Sequence, residues 1–289
     1  MRRRLHRSGP ILGNREAGFT LIELLIAGLI FVSAVGVMLT FLSRNEEARD
    51  TSYHVTQARQ NARSTLDFLV SEIRMAGSAI QVPVVTSTAL GDSIILYPVN
   101  PDTTVNTNEK LTILGKFGDA ETTLRSKMIL AGQVTDVNSV AGFAVGNLIV
   151  VAEGSFANLF EITDIQGTSI HHDATSPFNL AAGHRPWPPG GYPVDTSVFA
   201  AELVTYYVDH SDSTRPRIMR QIGVDSPRVL SEYVNLLSFD YELQDRSIVA
   251  EPDDFSDIRK VIVTIEAGSG EPSKQHVTRL VSAARPRSL

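Results

Sequence analysis

Residues 17–42 read AGFTLIELLIAGLIFVSAVGVMLTFL, and the placement of the whole chain follows from them. Between Phe19 and Leu42 the only polar side chains are Thr20, Ser33, Thr40 and a single charge, Glu23. As a helix rising about 1.5 Å per residue, the run is about 36 Å long. That crosses a hydrocarbon core of about 30 Å with some tilt. An acid inside such a span is costly unless something offsets its charge. The cost alone makes Glu23 a candidate functional residue.

The flanks give the run a direction. Arg2, Arg3, Arg4, Arg7 and Arg15 precede it against one acid, Glu16, while Arg44, Glu46, Glu47, Arg49 and Asp50 follow it. The positive-inside bias holds the basic leader in the cytoplasm and exports everything after Leu42. Three ordinary explanations compete. A cleaved secretory signal has an apolar core of about 7–15 residues and a small-x-small site. Val32-Ser33-Ala34 offers such a site, but the run continues past it and Glu23 interrupts the core. A twin-arginine signal lacks both its motif and its short apolar region. A plain single-span anchor fits the hydropathy, yet it accounts for neither the acid nor the order of residues before it.

That order, Gly18-Phe19-Thr20-Leu21-Ile22-Glu23-Leu24-Leu25 behind a basic leader, resembles the prepilin-type (type III) signal of type IV pilins and of type II secretion pseudopilins. The resemblance implies cleavage between Gly18 and Phe19 by a prepilin peptidase and N-methylation of Phe19. It also implies that Glu23 offsets the new ammonium at Phe19 of a neighbouring subunit during filament assembly. The physics is compatible, since opposite charges attract strongly in a low-dielectric bundle while either alone is penalised. Glu23 also lies in the first helical turn, where a negative charge complements the helix dipole.

Without the 18-residue leader, 21 basic residues face 31 acidic ones. An acidic exported surface argues against general nucleic-acid binding, which needs a basic patch. There is no cysteine, so an exported domain would have no disulfides and no thiolate metal site. About 210 residues remain beyond the helix, enough for a sizeable core.

The helix is predicted to continue beyond the apolar run. No proline occurs in 43–80, and Ala58, Ala62, Leu66, Leu69, Ile73 and Ala76 recur at steps of three or four, forming one stripe. Arg59, Arg63, Asp67, Glu72 and Arg74 fall mostly off it. Gly77-Ser78 and then Pro83 form a stop signal, giving one helix from Phe19 to Gly77. Gly28 and Gly36 either permit close helix approach or are ordinary membrane-helix glycines. Beyond Pro83 the pattern changes to short β runs. The predicted strands are 93–97, 110–114, 128–130, 148–151, 159–165, 168–171, 202–208, 217–222, 236–242 and 260–266. Residues 202–222 read as a hairpin.

Three C-terminal tracts extend the likeness: residues 60–77 (QNARSTLDFLVSEIRMAG), the Tyr-Tyr-Val-Asp hairpin with Arg220, and LLSFDYEL with the later IRKVIVTIEA. They resemble PilW-type minor pilins, and J-type minor pseudopilins share much of the layout. The implied fold class is α+β and type IV pilin-like: a long N-terminal helix packed on an antiparallel β-sheet domain with a β-rich insertion. The implied organisation is a cleaved leader (1–18), a membrane or filament-core half-helix (19–42), an amphipathic half-helix (43–80) and an exported β-rich domain (81–289). An insertion is placed at 128–198, including a Pro/Gly loop at 173–197 that holds Trp187.

Other candidate sites are weaker. His171, His172 and Asp173, with His184, suggest a metal, but their spacing does not match helical zinc sites and adjacent strand residues point to opposite faces. Asp209 and Asp212 with Ser211 and Ser213 lack the EF-hand spacing, and Asp253, Asp254 and Asp257 read most simply as a solvated loop. Trp187 is either an exposed binding tip or the buried anchor of its loop. No Gly-x-Ser-x-Gly element, Walker loop or Rossmann fingerprint occurs, so no enzyme and no cofactor is expected.

The functional expectation is a minor pilin, held in the inner membrane as a single-pass protein with its C-terminal domain in the periplasm. It then enters a type IV pilus or its tip priming complex. Its expected partners are the major pilin, other minor pilins, the prepilin peptidase, the inner-membrane assembly platform and, before assembly, the bilayer, with no nucleic acid. The alternative is a minor pseudopilin of a type II secretion pseudopilus. A membrane-tethered enzyme and an adhesive or DNA-capturing tip are different classes; the first predicts turnover without the helix, the second a binding role around Trp187.

Overall fold

The computed structural model describes residues 20–80, 82–87, 93–102, 109–129, 134–179, 187–213, 215–269 and 276–287. The side chains of 47, 48, 50–52, 54, 55, 58, 87, 93, 269 and 276 lie outside the description, as do Gly18, Phe19 and His184. The chain divides into two compact units, Met1–Tyr53 and His54–Leu289. The fold is α+β, as the sequence predicts.

Helix α1 spans Leu21–Met75, 55 residues, against a predicted Phe19–Gly77. In the first unit its segment Leu21–Glu46 is apolar and exposed throughout, long enough to cross a membrane. Hydroxyls within that segment are satisfied by the helix itself. Ser33 Oγ donates to the Leu29 carbonyl (2.8 Å), Thr40 Oγ1 to Gly36 (2.9 Å) and Ser43 Oγ to Leu39 (3.0 Å). Such back-bonding hides polar groups where water is absent.

In the second unit the predicted stripe is the buried face. Ala62, Leu66, Leu69, Ile73 and Ala76 are all buried, joined by Thr65 and Val70. The helix ends at Gly77, which adopts φ +74° and donates its N–H to the Leu114 carbonyl at 2.8 Å. Glycine tolerates that left-handed conformation at a helix C-terminus without a Cβ penalty.

Among the described residues seventeen strands follow: β1 (Val84–Ser87), β2 (Ser93–Leu96), β3 (Val99–Pro101), β4 (Leu111–Gly115), β5 (Glu121–Thr123), β6 (Val134–Asp136), β7 (Leu148–Glu153), β8 (Phe156–Glu161), β9 (Asp164–Gln166), β10 (Ser169–His171), β11 (Ser197–Asp209), β12 (Arg217–Ile222), β13 (Arg228–Glu232), β14 (Val234–Leu243), β15 (Ile248–Val249), β16 (Ile258–Ser269) and β17 (His276–Ala284). Two predicted strands need correction. Residues 159–165 divide between β8 and β9, because Ile162 and Thr163 leave the ladder to bond Asn147 and His171. At 128–130, among the described residues, only an isolated bridge from Met128 to Tyr192 forms.

The largest sheet has the order β13-β12-β11-β7-β8-β1-β2, with β4 and β5 also paired to β11 and β3 paired to β4. A four-stranded sheet runs β15-β14-β16-β17, and a three-stranded one β6-β10-β9. The predicted hairpin forms between β11 and β12, in register from Val204↔Ile222 to Asp209↔Arg217.

Strand β11 connects three apolar cores through its period-two alternation. Its even residues meet two of them. Val198 joins Leu124, Phe160, Ile170 and Tyr192, while Val204 and Tyr206 join the α1 stripe with Phe239, Val263 and Ile265. Phe199 and Ala201, on the other face, join Leu114, Val150 and Leu159.

Trp187 is half-buried, edge-on to Tyr192 (centroids 5.2 Å apart) and stacked on Phe160 (6.3 Å). The ring anchors its loop rather than tipping it. Beyond it, Gly191 (φ +90°) passes so close to a neighbouring segment that a Cβ would lie 2.3 Å from the Met128 carbonyl oxygen. At Gly190 (φ +83°) the nearest atom would be Lys127 Nζ at 3.7 Å.

Two stability measurements check this packing. Leu69→Ala should cost about 2–5 kcal/mol, read as a lower denaturant midpoint. Gly191→Ala should cost about 2 kcal/mol more than Gly190→Ala, since both carry the φ strain but only the first meets backbone.

Candidate functional site

Glu23 sits in the first turn of α1, and its carboxylate is occupied within its own chain. Oε2 accepts from the Thr20 backbone N–H (2.9 Å) and from Thr20 Oγ1 (2.9 Å), while Thr20 Oγ1 accepts from the Glu23 N–H at 3.4 Å. This reciprocal pattern is a capping box, Thr-x-x-Glu, satisfying orphan donors at the helix start. The signature is readable in the sequence, yet the prepilin reading passed over Thr20. The two residues form a polar lid on an otherwise apolar helix end, leaving one carboxylate oxygen without a hydrogen bond inside the described chain.

Gly28 and Gly36 lie open, with no atom within 4 Å of where a Cβ would stand. Around them Leu24, Leu25, Leu29, Phe31, Val32, Val37 and Met38 are exposed. An apolar surface this extensive calls for lipid or another apolar helix as its environment.

A second polar cluster fastens helix to sheet inside the larger unit. The Arg220 guanidinium on β12 grips Glu72 of α1 with two bonds, Nη2 to Oε1 at 2.7 Å and Nε to Oε2 at 3.1 Å. Nε also donates to the Tyr206 hydroxyl at 3.3 Å, and the guanidinium lies over the Phe68 ring at 5.9 Å. Glu72 therefore departs from the exposed set expected along 59–74; its side chain is only 13% exposed. Glu202 of β11 lies close by. Burial pushes its carboxyl above the ordinary range, Arg220 pulls it back down, and Glu72 pushes it up.

The remaining candidates fall apart from one another. His171 is half-buried on β10. His172 is buried, its Nε2 2.8 Å from Thr135 Oγ1 and its ring 4.4 Å from that of Phe160. Asp209 bonds the Ser211 N–H (2.9 Å) and Arg217 (2.8 Å), and hydrogen bonds from Ser211 hold its carboxyl below the usual range. Asp254 caps the short turn 255–257 through Ser256. Among the described residues no group of three or more His, Asp or Glu side chains is placed to hold a metal ion.

Comparison with known proteins gave no match: no family model, no curated protein and no solved structure matches the chain significantly. The class rests on architecture. A long apolar N-terminal helix precedes a β-rich domain, an arrangement consistent with pilin-like proteins, and the helix suits a single membrane anchor or a signal sequence.

Two sets of variants probe these clusters. Thr20→Ala should remove about 1 kcal/mol of capping and speed amide exchange in the first turn of α1 in detergent micelles, with membrane insertion intact. Glu72→Ala should destabilise the larger unit by about 2 kcal/mol, with the Glu72→Ala/Arg220→Met double variant losing less than the sum of the singles.

Proposed function

We propose that the chain is a minor pilin, stored in the inner membrane by α1 and drawn from there into a type IV pilus or its tip priming complex. One observation carries the reading. The order Gly18-Phe19-Thr20-Leu21-Ile22-Glu23 stands at the head of an exposed apolar helix, and a β-rich domain follows. The partners are the major pilin, other minor pilins, the prepilin peptidase and the assembly platform. The chain works by docking and not by turnover.

The physical sequence is straightforward. Cleavage before Phe19 creates an ammonium at the membrane boundary. A neighbouring Glu23 carries a carboxylate whose free oxygen can receive that ammonium, while Thr20 holds the other. Transfer from lipid to a bundle of like helices keeps the apolar surface covered, so packing and charge pairing set the equilibrium rather than hydrophobicity alone. A type II secretion pseudopilus would use the same helix physics.

The test is the state of the native protein. Mass spectrometry of the chain from membranes and from sheared filaments should give a start at a methylated Phe19, and Gly18→Ala should leave the full-length precursor. Glu23→Val should insert normally but enter filaments about tenfold less, equivalent to about 1.4 kcal/mol. A native chain that keeps its leader, or full filament incorporation of Glu23→Val, would overturn the proposal. Recovery from secretion pseudopili instead of pili would select the alternative.

A further inference from the structure

Strand β17 closes one end of the four-stranded sheet, and among the described residues no strand pairs with its far side. One hydrogen bond fixes which of its backbone groups point there. The Gly268 N–H of β16 donates to the Tyr233 carbonyl at 3.1 Å, on the β14 side of β16. Val277 is opposite Gly268, so its own N–H and carbonyl turn away from β16, because antiparallel pairs alternate between bonded and unbonded. The register runs unbroken from Val261↔Ala284 to Ser269↔His276, so Arg279, Val281 and Ala283 turn the same way. No hydrogen bond from a described residue meets those outward backbone groups. Only past the strand does another element take over, where the Arg287 N–H donates to the Ala76 carbonyl of α1 at 3.1 Å.

The other sheet ends differ. Strands β2, β13, β15, β6 and β9 have four, five, two, three and three residues, and β13 has a register break against β12. Such short or irregular edges offer little to an incoming strand, whereas a long one is normally blunted by proline, a bulge or charge. Strand β17 has nine residues without proline or bulge, about 30 Å of regular edge. Val277 and Val281, 52% and 57% exposed, stand along it.

A row of unpaired N–H and carbonyl groups selects an extended chain as its occupant. Charge selects the chemistry of that chain. Residues 276–287 hold Arg279, Arg285 and Arg287 and no acid, in a chain with 32 acids and 26 bases. Arg59 of α1 adds a further cation, its Nε donating to Thr278 Oγ1 at 2.9 Å. Glu266 lies 3.7 Å from Arg279 but leaves that side chain 64% exposed. A second copy is disfavoured by the same charges, since antiparallel pairing of two β17 strands about Leu280 sets Arg279 diagonally across from itself.

We propose that the open edge of β17 docks an extended, acidic segment of a partner protein, which joins the sheet as a fifth strand. The proposal stands independently of whether the chain enters a pilus.

The test uses the full chain in detergent micelles and the peptide acetyl-Thr-Glu-Val-Glu-Val-Glu-Thr-amide, followed by NMR. Comparison arms are a twin with lysine for each glutamate and a twin N-methylated at the five central residues, which cannot ladder. The acidic peptide should bind saturably and slow amide exchange at Arg279 and Val281, with Leu280 protected throughout. It should exceed both twins by about tenfold and weaken as salt rises. Val281→Pro removes an outward N–H and no bond to β16, and should lose about tenfold. Arg279→Gln keeps the whole edge and should lose about fivefold for the acidic peptide alone. Circular dichroism and thermal unfolding establish that each variant is folded, and the comparison of the three peptides needs no variant. No saturable binding, equal binding of either twin, or unchanged affinity in folded Val281→Pro or Arg279→Gln would overturn the proposal. A concentration-dependent dimer in sedimentation that Val281→Pro abolishes would also overturn it, assigning the edge to a second copy.

Discussion

The alternation along Ser197–Asp209 is the constraint on which the larger unit depends. Thirteen residues of continuous strand hold β7 and β5 on one stretch and β4 and β12 on the next, and point successive side chains at different cores. A slip of one residue would turn Val204 and Tyr206 away from α1 and put Glu202 and Ala200 on the wrong face. Four registers would fail together, because β4, β5, β7 and β12 all read theirs from this strand. The amphipathic part of α1 gains its stability the same way: its stripe is worth little alone and much when Tyr206, Phe239 and Ile265 cover it.

The chain treats Glu23 and Glu72 by two different devices. Glu23 is served locally, by a residue three positions away, so its partner forms with the helix and needs no tertiary structure. Glu72 is served by Arg220, 148 residues distant, so that bond exists only after β12 has joined β11 and the sheet has met the helix. A local device suits a helix start that has no tertiary contact to rely on. A distant one suits a contact that locks a finished domain, since a bidentate guanidinium fixes both distance and orientation.

How much of this was readable in advance depends on the range of the interaction. The helix stripe, the 202–222 hairpin and the long strands β14 and β16 were legible, because periodicity and propensity are local and act over many residues. Short strands such as β5 (Glu-Thr-Thr), β6 (Val-Thr-Asp) and β9 (Asp-Ile-Gln) were not. Three mostly polar residues carry no period, and their neighbours alone make them strands. Strand β17 escaped for another reason: His276-Val-Thr-Arg-Leu-Val-Ser-Ala-Ala mixes small and charged residues, and its strand character comes from nine paired positions on β16. At the helix start the sequence showed the acid but the capping partner was overlooked. Arg220 belonged to the hairpin tract that carried the likeness, yet nothing within a few residues of it pointed to Glu72.

One guanidinium near two carboxylates gives the larger unit a built-in asymmetry. Arg220 presents a planar fork, and Glu72 occupies it with both oxygens, so Glu202 receives only attraction through space. If the fork were shared, each acid would hold one bond and helix registry would loosen. Committing it to Glu72 secures α1 on the sheet and leaves Glu202 with attraction through space alone. Tyr206 reinforces that choice, because its hydroxyl lies on the Nε side and steadies the guanidinium where it faces the helix. Replacing Glu202 with an apolar residue would relieve the burial penalty that pushes its carboxyl up.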